Sequence, residues 1–353
     1  MTIISGTRFD DVISATSRQG DILKGLVGND TFEFYGMSQE DRFVGGRGDD
    51  TLTGIEIDIE AAAFETQALG TTFVGGRGVD TVEYSISVTL PTLKLSSFGM
   101  KLNSVEFRDY DLTLTGNYAG PEDTFKILGK NAAEIVAIRD VLLLSDIDTL
   151  KVNLRGGNDT LTVDVGSLDH IFVNTGGGGD TVVMHSSVDG AVINLGAGND
   201  RIIMDSYHRE TVKAGKGNDT IVLDHALWTV HTDTVTTGGG RDKIIVGGQP
   251  IVTAPLGNVV DFNAKRDKIG LAVDGNGTKP FDVVYSQQEL TQELATNPDA
   301  YRTEYWLMDN KAGTLGFVYN GAVKEVLDFG GSIALDDQNF FKVDENYGYD
   351  FLL

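Results

Sequence analysis

The chain has 353 residues, 28 Lys plus Arg against 52 Asp plus Glu, a net charge of −24, and no cysteine. That acidic surplus excludes binding to duplex nucleic acid or an anionic membrane surface, and the missing cysteine removes disulfides, thiolate metal sites and cysteine nucleophiles together. No run of about 18 apolar residues is present, so no membrane span is expected, while 41% hydrophobic residues suffice for a core.

The start, MTIISGTRFDD, has no basic segment followed by an apolar stretch, so no cleaved signal peptide is expected. The acids divide into 37 Asp and 15 Glu, and 44 residues are Gly. Aspartate and glycine suit turns and oxygen-ligand sites, and with Val and Ile between them they predict short strands punctuated by turns, an all-β array.

In chain order, one turn recurs: GLVGNDTFEF from Gly25, GGRGDDTLT from Gly45, GGRGVDTVEY from Gly75, then RGGNDTLTV from Arg155, GGGGDTVVM from Gly176, GAGNDRIIM from Gly196, GKGNDTIVL from Gly215 and GGGRDKIIV from Gly238. The turns end at Asp30, Asp50, Asp80, Asp159, Asp180, Asp200, Asp219 and Asp242. Their steps are 20 and 30 residues in the first series and 21, 20, 19 and 23 in the second. Two residues after each aspartate comes Phe32, Leu52, Val82, Leu161, Val182, Ile202, Ile221 or Ile244. Seven residues before it comes Leu23, Phe43, Phe73, Val152, Val173, Ile193, Val212 or Val235. Period-two apolar spacing on both sides of a turn means a strand enters and a strand leaves. A coil of about 20 residues cannot bury its apolar face alone, so successive coils must stack as parallel strands with the turns aligned along one edge.

These turns resemble the GGxGxDxUx nonapeptide of RTX (repeats-in-toxin) proteins, a calcium-binding parallel β-helix repeat. The resemblance implies a right-handed parallel β-roll or β-helix solenoid with a C-terminal β cap. It also implies calcium ions wedged between stacked turns, about six in all at one per gap. The residues implied are Asp30; Gly46, Gly48 and Asp50; Gly76, Gly78 and Asp80; Gly157 and Asp159; Gly176, Gly178 and Asp180; Gly196, Gly198 and Asp200; Gly215, Gly217 and Asp219; and Gly238, Gly240 and Asp242. Glycines permit positive backbone torsions and let carbonyl oxygens converge, and the aspartate adds a hard anionic oxygen. Asn29, Asp49, Asn158, Asn199 and Asn218, just before the motif aspartates, are turn-formers first and ligands second. RTX rolls usually carry the nonapeptide on both edges of an 18-residue coil, whereas most coils here carry it once.

The expected organisation is an N-terminal calcium-binding array over residues 1–84, with 54–70 (GIEIDIEAAAFETQALG) as a helical insertion. Residues 85–148 follow, either calcium-free coils of the same solenoid or a separate β subdomain. A second array covers 149–250 and a capping and secretion-signal region 251–353. GPEDTF at 120–125 and residues 6–13 read as degenerate turns. NVVDFNAKRDKIGLAV from Asn258 and GFVYNGAVKEVLDFGGSIALDDQNFF resemble the segments that close RTX arrays in secreted proteases and lipases. The ending Asp350, Phe351, Leu352 and Leu353 resembles that of type I secretion substrates. Localisation is expected to be extracellular or at the cell surface, and the partners are calcium, the type I machinery and a polysaccharide or cell-surface ligand.

No GxSxG elbow, HExxH helix or epimerase-like active-site run is present. Of His170, His185, His208, His225 and His231, several are expected on the stacked arrangement to lie toward the edge opposite the turns, with Tyr207, Arg209, Glu210 and Trp228. They read as solvated edge residues, with a carbohydrate strip or acid–base site as the alternative. The functional expectation is a structural, adhesive or accessory module that folds on calcium outside the cell. Its rivals are a lyase- or epimerase-type polysaccharide enzyme working from the β-helix face and a self-assembling surface-layer or biofilm protein.

Overall fold

A computed structural model of the chain describes residues 2–15, 20–34, 41–59, 71–88, 92–95, 101–103, 107–114, 124–140, 149–165, 168–185, 190–205, 209–223, 232–247, 256–273, 283–285, 295, 304–319 and 322–344. They form two compact units, Met1–Leu168 and Asp169–Leu353. Both are β-solenoids, built from parallel sheets with one strand per coil in each sheet.

In the first unit, Ile3–Ser5, Ile22–Val27, Arg42–Arg47, Thr72–Arg77 and Lys101–Asn103 pair in parallel on the side that enters the turns. Val12–Ser14, Thr31–Glu33, Thr51–Ile59, Thr81–Val88, Phe107–Leu114, Ile135–Asp140 and Thr160–Asp164 do so on the side that leaves. Thr92–Lys94, Thr124–Leu128 and Thr149–Asn153 make a third ladder. The register places Leu23 against Phe43 and Phe43 against Phe73, so equivalent residues of successive coils stack on the inner face. Of the sixteen apolar frame residues of the repeat, none is more than 3% exposed in either unit.

One expectation needs correction. Residues 54–59 belong to the strand Thr51–Ile59 and not to a helix. The order Ile55, Glu56, Ile57, Asp58, Ile59 alternates, which suits a strand, and the register shift between Leu52 and Ile55, at Gly54, takes up one extra residue. Residues 60–70 lie outside the described residues. Residues 120–123 of GPEDTF lie outside the described residues, and Thr124 and Phe125 begin the strand Thr124–Leu128. Within residues 85–148, Phe107–Leu114 pairs on one side with Thr81–Val88 and on the other with Ile135–Asp140, so these strands are rungs of the same ladder.

In the second unit, Thr181–Met184, Arg201–Met204, Thr220–Leu223, Lys243–Val246, Lys268–Val273 and Phe340–Asp344 form one parallel sheet. The other runs through His170–Gly177, Ala191–Ala197, Glu210–Lys216, Asp233–Thr236 and Gly257–Val259. It then joins Ala322–Asp328, which pairs antiparallel with Thr314–Tyr319, itself antiparallel to Glu304–Asp309. This antiparallel meander is the cap expected from the C-terminal segment. It follows the last coil of this sheet, its outer strand Glu304–Asp309 pairs in parallel with Val283–Val284, and Trp306 packs edge-on against Phe317 within it. Residues 345–353, including the Asp350–Leu353 ending, lie outside the described residues.

The strands that leave the turns in this unit are buried on both faces. Besides the inward frame, Val183, Ile203, Val222 and Ile245 form a second apolar cluster, joined by Val343 and packed against by Phe341. The sequence signal is three apolar residues in a row, as in IIM and IVL, where one solvated face would leave alternation.

Candidate metal centre

Counting each turn so that its aspartate is sixth, the second and fourth residues have positive φ in all eight copies. The second ranges from 74° at Arg155 to 123° at Gly46 and Gly76, and the fourth from 124° at Gly28 to 150° at Gly198. The expected glycines therefore all stand where left-handed backbone is required. Leu26 and Arg155, the two non-glycine residues with positive φ among the described residues, hold second positions.

Stacking explains why glycine prevails there. A Cβ on Gly46 would strike the carbonyl oxygen of Leu26, and one on Gly48 that of Gly28. In the second unit Gly215 and Gly217 lie in the same way against the carbonyls of Gly196 and Gly198. Carbonyl oxygens of one turn thus face the bare Cα atoms of the next. In the first unit Leu26 and Arg155 each stand on the turn that follows one of different geometry, ending at Asp11 and Glu134.

The aspartates use their two oxygens differently. Each Oδ1 caps the turn before it: the amides of Asp30 and Asp50 donate to Oδ1 of Asp50 and Asp80, both at 2.9 Å. Those of Asp180, Asp200 and Asp219 donate to Oδ1 of Asp200, Asp219 and Asp242 at 2.8, 2.9 and 3.0 Å. The fifth residue caps in the opposite direction. Oδ1 of Asn29, Asp49, Asn199 and Asn218 accepts the amide of the next turn's fifth residue, Asp49, Val79, Asn218 and Arg241, at 2.8–2.9 Å. These side chains thus link neighbouring coils.

Oδ2 of Asp30, Asp50, Asp200, Asp219 and Asp242 is buried and receives no hydrogen bond. Asp80, Asp159 and Asp180 hold the same place on their turns and are at most 1% exposed. Burial pushes the carboxyls of Asp50 and Asp242 up to about 6 and that of Asp200 to about 7. The capping amide lowers each, and the neighbouring carboxylates add to the rise. Asp30 and Asp219 are raised for the same first reason. A buried carboxylate oxygen without a donor costs free energy and calls for a counter-charge.

Three further turns settle that second oxygen internally. Oδ2 of Asp11 accepts the amide of Thr7 at 2.5 Å and its hydroxyl at 2.9 Å. Both carboxylate oxygens of Glu134 accept the amide of Lys130 at 3.2 Å. Oδ2 of Asp267 accepts the amide of Asn263 at 2.7 Å. In each the donor is the second residue of the turn, the position that has positive φ in the other eight. The first of these lies in the degenerate turn expected at residues 6–13. The turns of Glu134 and Asp267 have no glycine signature, yet Ile127 and Val136, seven before and two after Glu134, keep the frame and would have revealed it.

Sequence reasoning also missed a buried acidic row nine residues before the motif. Asp21, Asp41, Glu210 and Asp233 are at most 1% exposed, and the amides of Asp21 and Glu210 donate to Oδ1 of Asp41 and Asp233, both at 2.8 Å. Glu210 is therefore not a solvated edge residue, whereas Arg209 is exposed. His185 Nδ1 lies 3.2 Å from Asp205 Oδ2, and His170 is exposed beside Phe172. His208, His225, His231, Tyr207 and Trp228 lie outside the described residues.

Among the described residues no three His, Cys, Asp or Glu side chains converge as a ligand cluster. A cation at the eight motif turns would be held by backbone carbonyls with a carboxylate oxygen from the motif aspartates. That all-oxygen, carbonyl-rich donor set suits a hard divalent ion and offers nothing to a thiophilic one. No helix among the described residues is long and apolar enough to cross a membrane. No protein-family model matches the chain, and no curated protein matches it significantly.

Proposed function

We propose that this chain is a calcium-binding solenoid of the RTX type, exported unfolded by a type I route, which folds outside the cell and acts there as a structural, adhesive or accessory module. The observation that carries this reading is the set of buried, donor-less Oδ2 atoms at Asp30, Asp50, Asp200, Asp219 and Asp242, on turns whose glycines admit the neighbouring turn's carbonyls against their bare Cα atoms. The second and fourth carbonyls and the aspartate would supply the oxygens, and calcium supplies the counter-charge that the buried carboxylates lack.

Folding and binding are then linked. An ion present at ten times its dissociation constant stabilises the folded state by roughly 1.4 kcal/mol, and several such ions together reach the stability of an ordinary domain. In a medium poor in calcium that gain vanishes and the like-charged rows oppose stacking.

The test is circular dichroism of the purified chain through a calcium titration and back with a chelator. Strand signal is expected to grow with calcium and fall with chelator, magnesium to substitute poorly, and Asp200→Ala to weaken the response. A chain fully ordered in excess EDTA and indifferent to calcium would refute the proposal.

A further inference from the structure

The turn that ends at Asp267 has a closed geometry and carries an arginine as its fifth residue. Asn263, at its second position, donates its amide to Asp267 Oδ2 at 2.7 Å, and its carbonyl accepts the amides of Arg266 and Asp267, both at 2.9 Å. Asp267 Oδ1 accepts the amide of Asp242 at 3.2 Å, so both oxygens of this carboxylate are already engaged. On the preceding turn, the amide of Gly238 is drawn outward to Asp261 Oδ2 at 2.9 Å, and Arg266 Nη2 donates to its carbonyl oxygen at 3.4 Å. Gly238 is a second-position residue with φ 85°, and its carbonyl is one of those assigned above to an ion.

We propose that the half-buried guanidinium of Arg266 is the resident cation of this last gap, standing where calcium stands between the other turns, so that the row of ion sites ends at the Asp242 turn. The inference rests on the calcium reading of the open turns. A guanidinium carries a permanent charge and a fan of donors, so it satisfies the Gly238 carbonyl without coordination chemistry and at any calcium concentration. It reaches the carbonyl and not the carboxylate itself, yet it lies near enough to Asp242 to counter part of the burial effect on that group. The coil next to the antiparallel cap is thereby independent of the metal.

The experiment counts calcium ions per full-length chain by equilibrium dialysis and native mass spectrometry. Asn263→Gly, Lys265→Gly and Arg266→Asn together give this turn the residue order found at Gly196–Asp200. The triple variant is expected to bind one ion more than the parent chain. In the otherwise unaltered chain, Asp267→Asn is expected to leave the count unchanged, while Asp219→Asn lowers it by at least one. A folded triple variant with the parental count overturns the proposal, as does an Asp267→Asn chain that loses an ion as Asp219→Asn does. Should the triple variant fail to fold, the two single variants decide. A parent chain that binds no calcium at millimolar concentration removes the parent reading and this one with it.

Discussion

Three consecutive glycines in the Asp242 turn are expected to respond oppositely to alanine. Gly240 has φ 149°, and a Cβ there would press on the carbonyl oxygen of Gly217. Such a backbone conformation costs an L-residue about 1–3 kcal/mol, against which a stiffer unfolded chain returns about 0.4–1 kcal/mol. The collision with a neighbouring rung adds to this, because that carbonyl belongs to the stacked backbone and cannot swing aside. Gly240→Ala should therefore destabilise by about 2–4 kcal/mol, which for a unit of this size lowers Tm by roughly 5–15 °C. Gly238→Ala, at φ 85° and against the Gly215 carbonyl, should fall in the same range. Gly239 lies between them with nothing within 4 Å of an added Cβ, and Ala197 and Lys216 fill the same third position on earlier turns. Gly239→Ala should be neutral or stabilising by up to about 1 kcal/mol. Thermal and urea unfolding at saturating calcium measure all three. Equal losses at the three sites, or the largest loss at Gly239, would refute the stacked-carbonyl reasoning.

Arg155→Gly should stabilise by about 0.5–1 kcal/mol, since left-handed backbone costs an L-residue about 1–2 kcal/mol and glycine's extra unfolded-state entropy takes back only part; urea unfolding reads the sign. Because burial raises Asp50, Asp200 and Asp242 to about 6–7 from the ordinary 3.8, the folded, metal-free chain holds protons that the unfolded chain has released. Its stability should thus fall as pH rises from about 4 to 7, and apparent calcium affinity should climb over the same interval. Dichroism in EDTA at pH 5 and pH 8 checks this, and greater order at pH 8 would contradict it. Ile203→Ala should cost about 2–5 kcal/mol although Ile203 points away from the inner frame, because that face of its strand is also buried; a loss below 0.5 kcal/mol would mean that the outer cluster is not packed.

The ladder was legible because the repeat fixes a frame: an apolar residue seven before and another two after each turn can only be buried together if coils stack. The glycine pattern likewise foretold the positive torsions at positions such as Gly46 and Gly48. The division of labour within each aspartate was not legible, since the partner of Asp50 Oδ1 is an amide 20 residues away that no local pattern marks. Closed turns escaped for a related reason: Glu134 and Asp267 take their amide from Lys130 and Asn263, so no glycine is required and the motif disappears. The helix expected from residue 54 onward rested on composition, and pairing with Thr81–Val88 overrides it as far as Ile59.

The capping bonds between neighbours have a modular consequence. Asp200 receives the amide of Asp180 and gives its own to Asp219, and Asp219 does the same one step further along. Each coil is thus plug and socket at once, with interchangeable fittings. Excising the 19 residues from Leu195 to Lys213, the interval that separates Asp200 from Asp219, would seat Asp180 on Asp219 with the same bond and leave no fitting idle. Duplication of such a segment would lengthen the ladder equally smoothly, so unequal recombination within this stretch can alter the number of rungs without touching the antiparallel strands that follow them.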